Sequence, residues 1–282
     1  ARIHIEQSGY PLHVIHGYTM KGGEVEDLSQ LIGRQSLRSL GRMRGVTRRR
    51  LETLPAAALV LARVVAALRY KEVVFSAYGL REGHVFSLLP DKEKTEDPLL
   101  AAAAEIAARE ARFDDLGAAL VDWTAPLFPG ESPAERRLRT AACRLSDIAW
   151  REHPDYRAPQ ALSRILYFPF SGVSHADRVY MAYSAFVRYG GALKASAVKP
   201  YLHLLDDEQV QSPRVLGLAQ RLAYRVSGAT RAVLARCELS YDGTTLRLRL
   251  PDDGSAPGGE AVERRFQALA ETLGAKKAVM EG

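Results

Sequence analysis

From residue 99 to about 227 the apolar residues recur at helical spacing almost without a break, and this stretch constrains the fold more than any other. The spacing predicts helices near 98–110, 113–127, 132–150, 158–167, 174–189, 193–204 and 207–226. Breaker-rich stretches, PLFPGESP, REHPDYRAP and FPFSGVS, punctuate them. An all-α bundle is the expected result.

The periodicity changes on both sides of that stretch. PDKEKTEDP, residues 90 to 98, is polar, charged and bounded by prolines, which marks a linker. Before it, to Pro90, the pattern is α/β. Residues 24 to 41 suggest short helices, and a longer helix is expected from about Val46 to Tyr70. Leu51, Leu54, Ala58, Val65 and Leu68 would form its buried face, with Thr47 placed to cap it. Pro55 must kink this helix or mark its true first turn. A buried strand through Val73, Val74 and Phe75 follows, then a short helix carrying Val85, Phe86, Leu88 and Leu89. Beyond the bundle, VLARCELSYDGTTLRLRLPDDG alternates apolar and polar residues around Asp242-Gly243, a hairpin signal. A helix over 258–273 and a closing strand in KKAVMEG complete a small α+β unit. The fold class read from these patterns is mainly α with α/β parts.

Composition narrows the partners. The formal net charge of +6 favours an anion: nucleic acid, nucleotide, phosphate polymer or membrane surface. No apolar run reaches the ~18 residues that a membrane helix needs, since Arg63 and Arg69 interrupt residues 56 to 70. Cys143 and Cys237 lie in unrelated segments without metal-type spacing, which fits reduced thiols in a cytosolic protein. The chain opens at ARIHIEQSGYPLHVIHGYT without an initiator methionine and reads as a fragment or a processed product.

Three features bear on chemistry. Between Leu28 and Leu51 there is no acidic residue, while Arg34, Arg38, Arg42, Arg44, Arg48, Arg49 and Arg50 all fall there. Such a run is either a solvated face whose counter-charges lie elsewhere in the fold or a surface for a polyanion. Arginine in place of lysine leans towards phosphate, because the planar fork pairs two oxygens at once. The second feature is the strand end GLREG. It is either a tight left-handed turn with Arg81 and Glu82 paired at the surface, or a helix start whose free N–H groups attract an anion. Ser76, Gly79 and Gly83 would let a ligand approach the backbone. Third, the position where a metal phosphohydrolase of the HD type carries its His-Asp doublet reads Ser146-Asp147. No transition metal is expected at Asp147, His153 and His175, since one ligand is missing. No Ser/His/Asp or Cys/His arrangement and no glycine-rich phosphate cradle is readable.

In order and spacing, YPLHVIHGYTM, GVTRRRLETLPAAALVLARVVAALR and VVFSAYGLREG resemble the exopolyphosphatase and guanosine pentaphosphate phosphohydrolase family. AACRLSDIAWREHPDYR and FSGVSHADRVYMAYSAFVRYGG resemble the helical domain of its longer, alphaproteobacterial-type members. The resemblance implies three parts: residues 1–90 as the C-terminal part of an actin-like (sugar kinase-like) lobe, 98–227 as an HD-like helical domain, and 228–282 as a small α+β domain. It implies an exopolyphosphatase of the cytoplasm that removes terminal phosphate from inorganic polyphosphate with Mg2+, with guanosine pentaphosphate as the alternative substrate. The catalytic carboxylate, the Mg2+ ligands and the phosphate loops would lie upstream of residue 1, so no catalytic residue and no metal ligand is assigned and the chain alone would be inactive. Arg48, Arg49, Arg50, Ser76, Gly79, Arg81 and Gly83 are the expected substrate-binding residues. A homodimer is implied; a membrane or specific nucleic-acid partner is not. From a different class, a non-enzymatic polyanion-binding or dimerisation module remains open.

Overall fold

The computed structural model describes residues 1–192 and 195–282, and of Asp207 and Glu208 the backbone alone. It is mostly helical with small sheets, and the chain divides into two compact units, Ala1–Thr95 and Glu96–Gly282. No helix is long and apolar enough to cross a membrane.

The first unit runs α1 (Arg2–Ser8), β1 (Tyr18–Lys21), α2 (Gly22–Gly33), α3 (Leu37–Leu40), a single 3-10 turn (Arg48–Arg50), α4 (Leu54–Leu68), β2 (Glu72–Phe75), α5 (Leu80–Ser87) and α6 (Asp91–Lys94). β1 and β2 pair antiparallel, Tyr18 opposite Phe75 and Lys21 opposite Glu72. Helices α2 and α4 pack together over two clusters. Ile5, Tyr18, Met20, Val25 and Val65 form one; Ile3, Ile32, Leu40 and Ala58 form the other. Gly45, at φ +85°, lies against the backbone of Arg2, where an added Cβ would sit 3.0 Å from the Arg2 carbonyl.

Several expectations for this unit change, and Leu68, expected on the buried face of the long helix, is 55% exposed. The long helix starts at Leu54, eight residues later than Val46, because Pro55 fits only a first turn, where its missing N–H costs nothing. Thr47 precedes the 3-10 turn and makes no capping bond. The strand through Val73 to Phe75 is not buried. Val74 is 66% exposed, and only Val73 and Phe75 turn towards the core. The exposed apolar side chains continue on α4 with Leu59, Val60 and Val64, on α5 with Leu80 and Val85, and just past it at Leu88.

The second unit runs α7 (Pro98–Glu110), α8 (Asp114–Thr124), α9 (Pro133–Arg144), α10 (Arg157–Tyr167), α11 (His175–Arg188), α12 (Lys199–Leu202), α13 (Asp207–Ser227), α14 (Arg231–Leu234), β3 (Glu238–Tyr241), β4 (Thr245–Arg249), α15 (Glu260–Leu273) and β5 (Lys277–Glu281). Start signals are explicit. Asp97 accepts hydrogen bonds from the N–H groups of Leu99 and Leu100. Ser132 with Glu135, Ser174 with Asp177, and Asp206 with Gln209 form reciprocal capping boxes. The helix expected over 132–150 stops at Arg144 and continues as a 3-10 turn through Asp147. Of the helix expected over 193–204, only one turn from Lys199 is present, and residues 193 and 194 lie outside the described residues.

Helix α11 is buried on almost every side and packs on α10 and α13. Gly217 is where α13 meets it most closely. A Cβ there would lie 2.5 Å from the Ser184 carbonyl oxygen and 2.7 Å from the Val187 Cβ. Gly217→Ala should therefore cost about 1–3 kcal/mol by overpacking, read as a lower urea midpoint, whereas Gly228→Ala would test only backbone strain. The predicted hairpin joins β3 to β4. Asp242 accepts from the Thr244 and Thr245 N–H groups across the turn. Helix α15 then carries the chain to β5, parallel to β4. Val262, Phe266 and Leu269 of α15 are buried, as are Leu246 and Leu248 of β4.

Candidate functional site

In the first unit the end of β2 is held by a residue sixty positions upstream. The Ala77 N–H donates to His16 Nδ1 at 3.1 Å, so that nitrogen is an acceptor and any ring proton of a neutral His16 sits on Nε2. The Ser76 hydroxyl lies 3.5 Å from the same nitrogen, and the Tyr78 N–H donates to Ser76 Oγ at 2.9 Å. The His16 and Tyr78 rings sit 4.8 Å apart. The Gly79 N–H then donates to Glu82 Oε2 at 2.7 Å, and α5 begins at Leu80. That bond from the Gly79 N–H, with one from its own backbone N–H, holds the Glu82 carboxyl below its usual range.

This geometry replaces the left-handed turn. Gly79 is extended, at φ −130°, and Glu82 caps the helix instead of pairing with Arg81. Neighbouring positions on a helix do not face each other, so the two charges diverge. The protein requires glycine at neither place. A Cβ on Gly79 would meet only Glu82 Oε2, at 3.7 Å, and one on Gly83 would meet nothing within 4 Å. Arg81 is exposed and makes no ion pair among the described residues.

The arginine run is also solvent-facing. Arg34 follows α2, Arg38 lies in α3, and Arg48, Arg49 and Arg50 form the 3-10 turn. All seven arginines are exposed, and none has an ion-pair partner among the described residues, so the reading of counter-charges elsewhere in the fold does not hold there. Arg49 and Arg50 reach the rim of a cavity of ≈ 720 Å³ that Ser76 and Phe75 also line. The structure thus joins Arg49, Arg50 and Ser76, three of the seven expected binding residues. Arg48, Gly79, Arg81 and Gly83 do not line it. His16, which fixes the strand end, was missed by sequence reasoning. Nothing in local spacing links it to Ala77.

In the second unit the Ser146-Asp147 position is filled by protein. The Asp147 carboxylate accepts from Arg112 Nε at 2.8 Å, Arg112 Nη2 at 2.9 Å and Arg188 Nη2 at 2.9 Å. The Arg188 guanidinium lies 4.0 Å from the Tyr189 ring centre and 3.8 Å from that of Tyr224. Ser146 Oγ donates to the Cys143 carbonyl and lies 2.9 Å from the Tyr224 hydroxyl. His153 is exposed beside Asp155, and His175 is buried at the start of α11. Among the described residues, no three of His, Cys, Asp and Glu gather as a metal-holding group. The described residues therefore offer Mg2+ no evident set of ligands.

Residues 1–92 match the model of the Ppx/GppA phosphatase family, and residues 99–280 match the model described as exopolyphosphatase, C-terminal. Among curated proteins, the chain is similar to Retrograde regulation protein 2 of Saccharomyces cerevisiae. The two are 27% identical over an alignment 203 residues long, which covers 69% of this chain and 34% of that protein. The chain thus spans about a third of the length of this relative.

Proposed function

Because the chain belongs to the Ppx/GppA phosphatase family, we propose that it is the C-terminal portion of an exopolyphosphatase and supplies a polyphosphate-binding surface to a catalytic lobe outside it. In this reading residues 1–90 are the end of an actin-like lobe, 98–227 an HD-like helical domain and 228–282 a small α+β domain. The observation that carries it is the set of exposed arginines without ion-pair partners among the described residues, two of which share a cavity with the turn at the end of β2. Unpaired guanidinium groups repel one another, and a polyanion relieves that repulsion while pairing two oxygens per fork. The strand end suits close approach: Ser76 is held by His16 and Tyr78, and the glycines leave the backbone of α5's first turn uncovered.

The exposed apolar side chains of β2, α4 and α5 support the incomplete-lobe reading, because so many large apolar side chains in one small unit are normally covered. In the complete protein Mg2+ would neutralise the developing phosphate charge, held by groups other than those described here. Two copies joined through the helical domains would lengthen the basic track, and buried thiols at Cys143 and Cys237 suit the cytoplasm.

The test is a phosphate-release assay with the 282 residues alone, long-chain polyphosphate and Mg2+, beside a binding titration. Binding without turnover is expected. Sustained release would overturn the reading. Tighter binding of guanosine pentaphosphate than of the long polymer would transfer it to the nucleotide.

A further inference from the structure

Three helices of the Glu96–Gly282 unit line a cavity of ≈ 370 Å³. Each contributes one stripe: α11 gives Tyr183 and Val187, α13 gives Arg214 and Leu218, and α15 gives Ala268 and Glu271. Residues three or four apart share a helix face, so the two members of each stripe reach the same space. The size falls within the ~300–1,000 Å³ of small-molecule pockets. The Gln211 side chain, nearly one turn before Arg214, donates to the Thr272 carbonyl and ties α13 to the end of α15. Leu218 and Ala268 also border a smaller cavity that holds Arg221, Arg264 and Arg265, but those arginines do not line this one.

The polar groups of the lining are unanswered in three places. Tyr183 is fully buried, and its hydroxyl has no hydrogen-bond partner among the described residues. A buried hydroxyl left unpaired is costly, and native structures keep few of them. Burial pushes this phenol up to about 12 while the Arg214 charge pulls the other way, so Tyr183 is a neutral O–H within the field of Arg214. Arg214 is half-buried and Glu271 is exposed. Neither has an ion-pair partner among the described residues, and they do not pair with each other although they share the cavity.

This set of groups selects its ligand. Arg214 and Glu271 give the lining no net charge, so a polyanion would lose at the carboxylate what it gains at the guanidinium. A hydrocarbon would leave the phenol and both charges unanswered. A small molecule with one charge of each sign and a short apolar part satisfies every group at once.

We infer that this cavity binds a free aliphatic α-amino acid, with its carboxylate on Arg214 and the Tyr183 hydroxyl, its ammonium on Glu271, and its side chain against Val187, Leu218 and Ala268. The planar arginine fork pairs both carboxylate oxygens, and the phenol donates to one of them. The site is built from other residues than the arginine run of the first unit, so it stands or falls independently of the polyphosphate reading.

Calorimetric titration and thermal melts of the full 282-residue chain with L-leucine, L-isoleucine and L-valine test it. Saturable one-to-one binding is expected, with a Tm that climbs as the amino acid is added. Isocaproate, which is leucine without its ammonium, and isoamylamine, which is leucine without its carboxylate, should each bind about tenfold or more weaker, the value of one charged hydrogen bond. Glu271→Gln, on an exposed side chain, should leave the Tm of the free chain unchanged and erase the preference for leucine over isocaproate. Tyr183→Phe should move two readouts in opposite directions. It removes an unpaired buried hydroxyl, so the free chain should melt no lower, yet leucine affinity should fall several-fold. A lower Tm with unchanged leucine affinity in Tyr183→Phe would make the hydroxyl a structural group and overturn the site. So would failure of all three amino acids to bind, equal binding of isocaproate by the unaltered chain, or displacement of leucine by tripolyphosphate, which would make the cavity an anion site.

Discussion

Asp147→Ala is expected to lower the stability of the Glu96–Gly282 unit by about 3–5 kcal/mol, the usual cost of removing one partner from a buried, hydrogen-bonded charge pair. Two arginines share this carboxylate, whose side chain is 3% exposed. Arg112 is a third exposed and would recover water. Arg188 would not: it is 10% exposed, clasped by the rings of Tyr189 and Tyr224, and its Nε has no partner among the described residues. The substitution would leave a desolvated cation facing a void. Whole domains are stable by only about 5–15 kcal/mol, so the urea midpoint should fall far. Asp147→Asn, which keeps the shape and one acceptor oxygen, should fall less. A loss below about 1 kcal/mol for the alanine variant would mean that the pairs add little over water, as exposed ion pairs do. Two guanidinium groups now occupy the carboxylate, so metal analysis of Asp147→Ala and of the unaltered chain should give the same low value.

The triple change Arg48→Ala, Arg49→Ala, Arg50→Ala should act in the opposite way. All three side chains are exposed without ion-pair partners among the described residues, so stability should move by no more than about 0.5 kcal/mol. Affinity for long-chain polyphosphate should drop roughly 10- to 100-fold, from three solvent-exposed contacts worth up to about 1 kcal/mol each. The slope of log affinity against log salt should become shallower by about 2–3 if each arginine had displaced a counterion. A stability loss with unchanged affinity would place these side chains in the fold rather than at the ligand.

What the sequence disclosed and what it hid divide along one line: range along the chain. The helices of the second unit were legible because each carries its own instructions, an apolar stripe and a local start signal such as Ser132 with Glu135 or Ser174 with Asp177. The hairpin at Asp242-Gly243 was legible for the same reason. The acid-free arginine run was visible, but whether its counter-charges lay elsewhere in the fold was not; the side chains are exposed and have no ion-pair partner among the described residues. Features set by distant residues were not visible. Arg112 and Arg188 reach Asp147 across 35 and 41 positions, and no periodicity announces that meeting. His16 reaches Ala77 across 61. The apolar run Val73 to Phe75 reads as buried because strand composition reports β propensity, not how many neighbours cover each face; Val74 faces outward on a two-stranded sheet.

Equilibrium titration of the 282-residue chain with long-chain polyphosphate at low and at moderate salt tests the central claim most directly. Saturable binding that weakens steeply as salt rises is the predicted result, because neutralised phosphates release their counterions. No binding at low salt, or an affinity indifferent to salt, would contradict it.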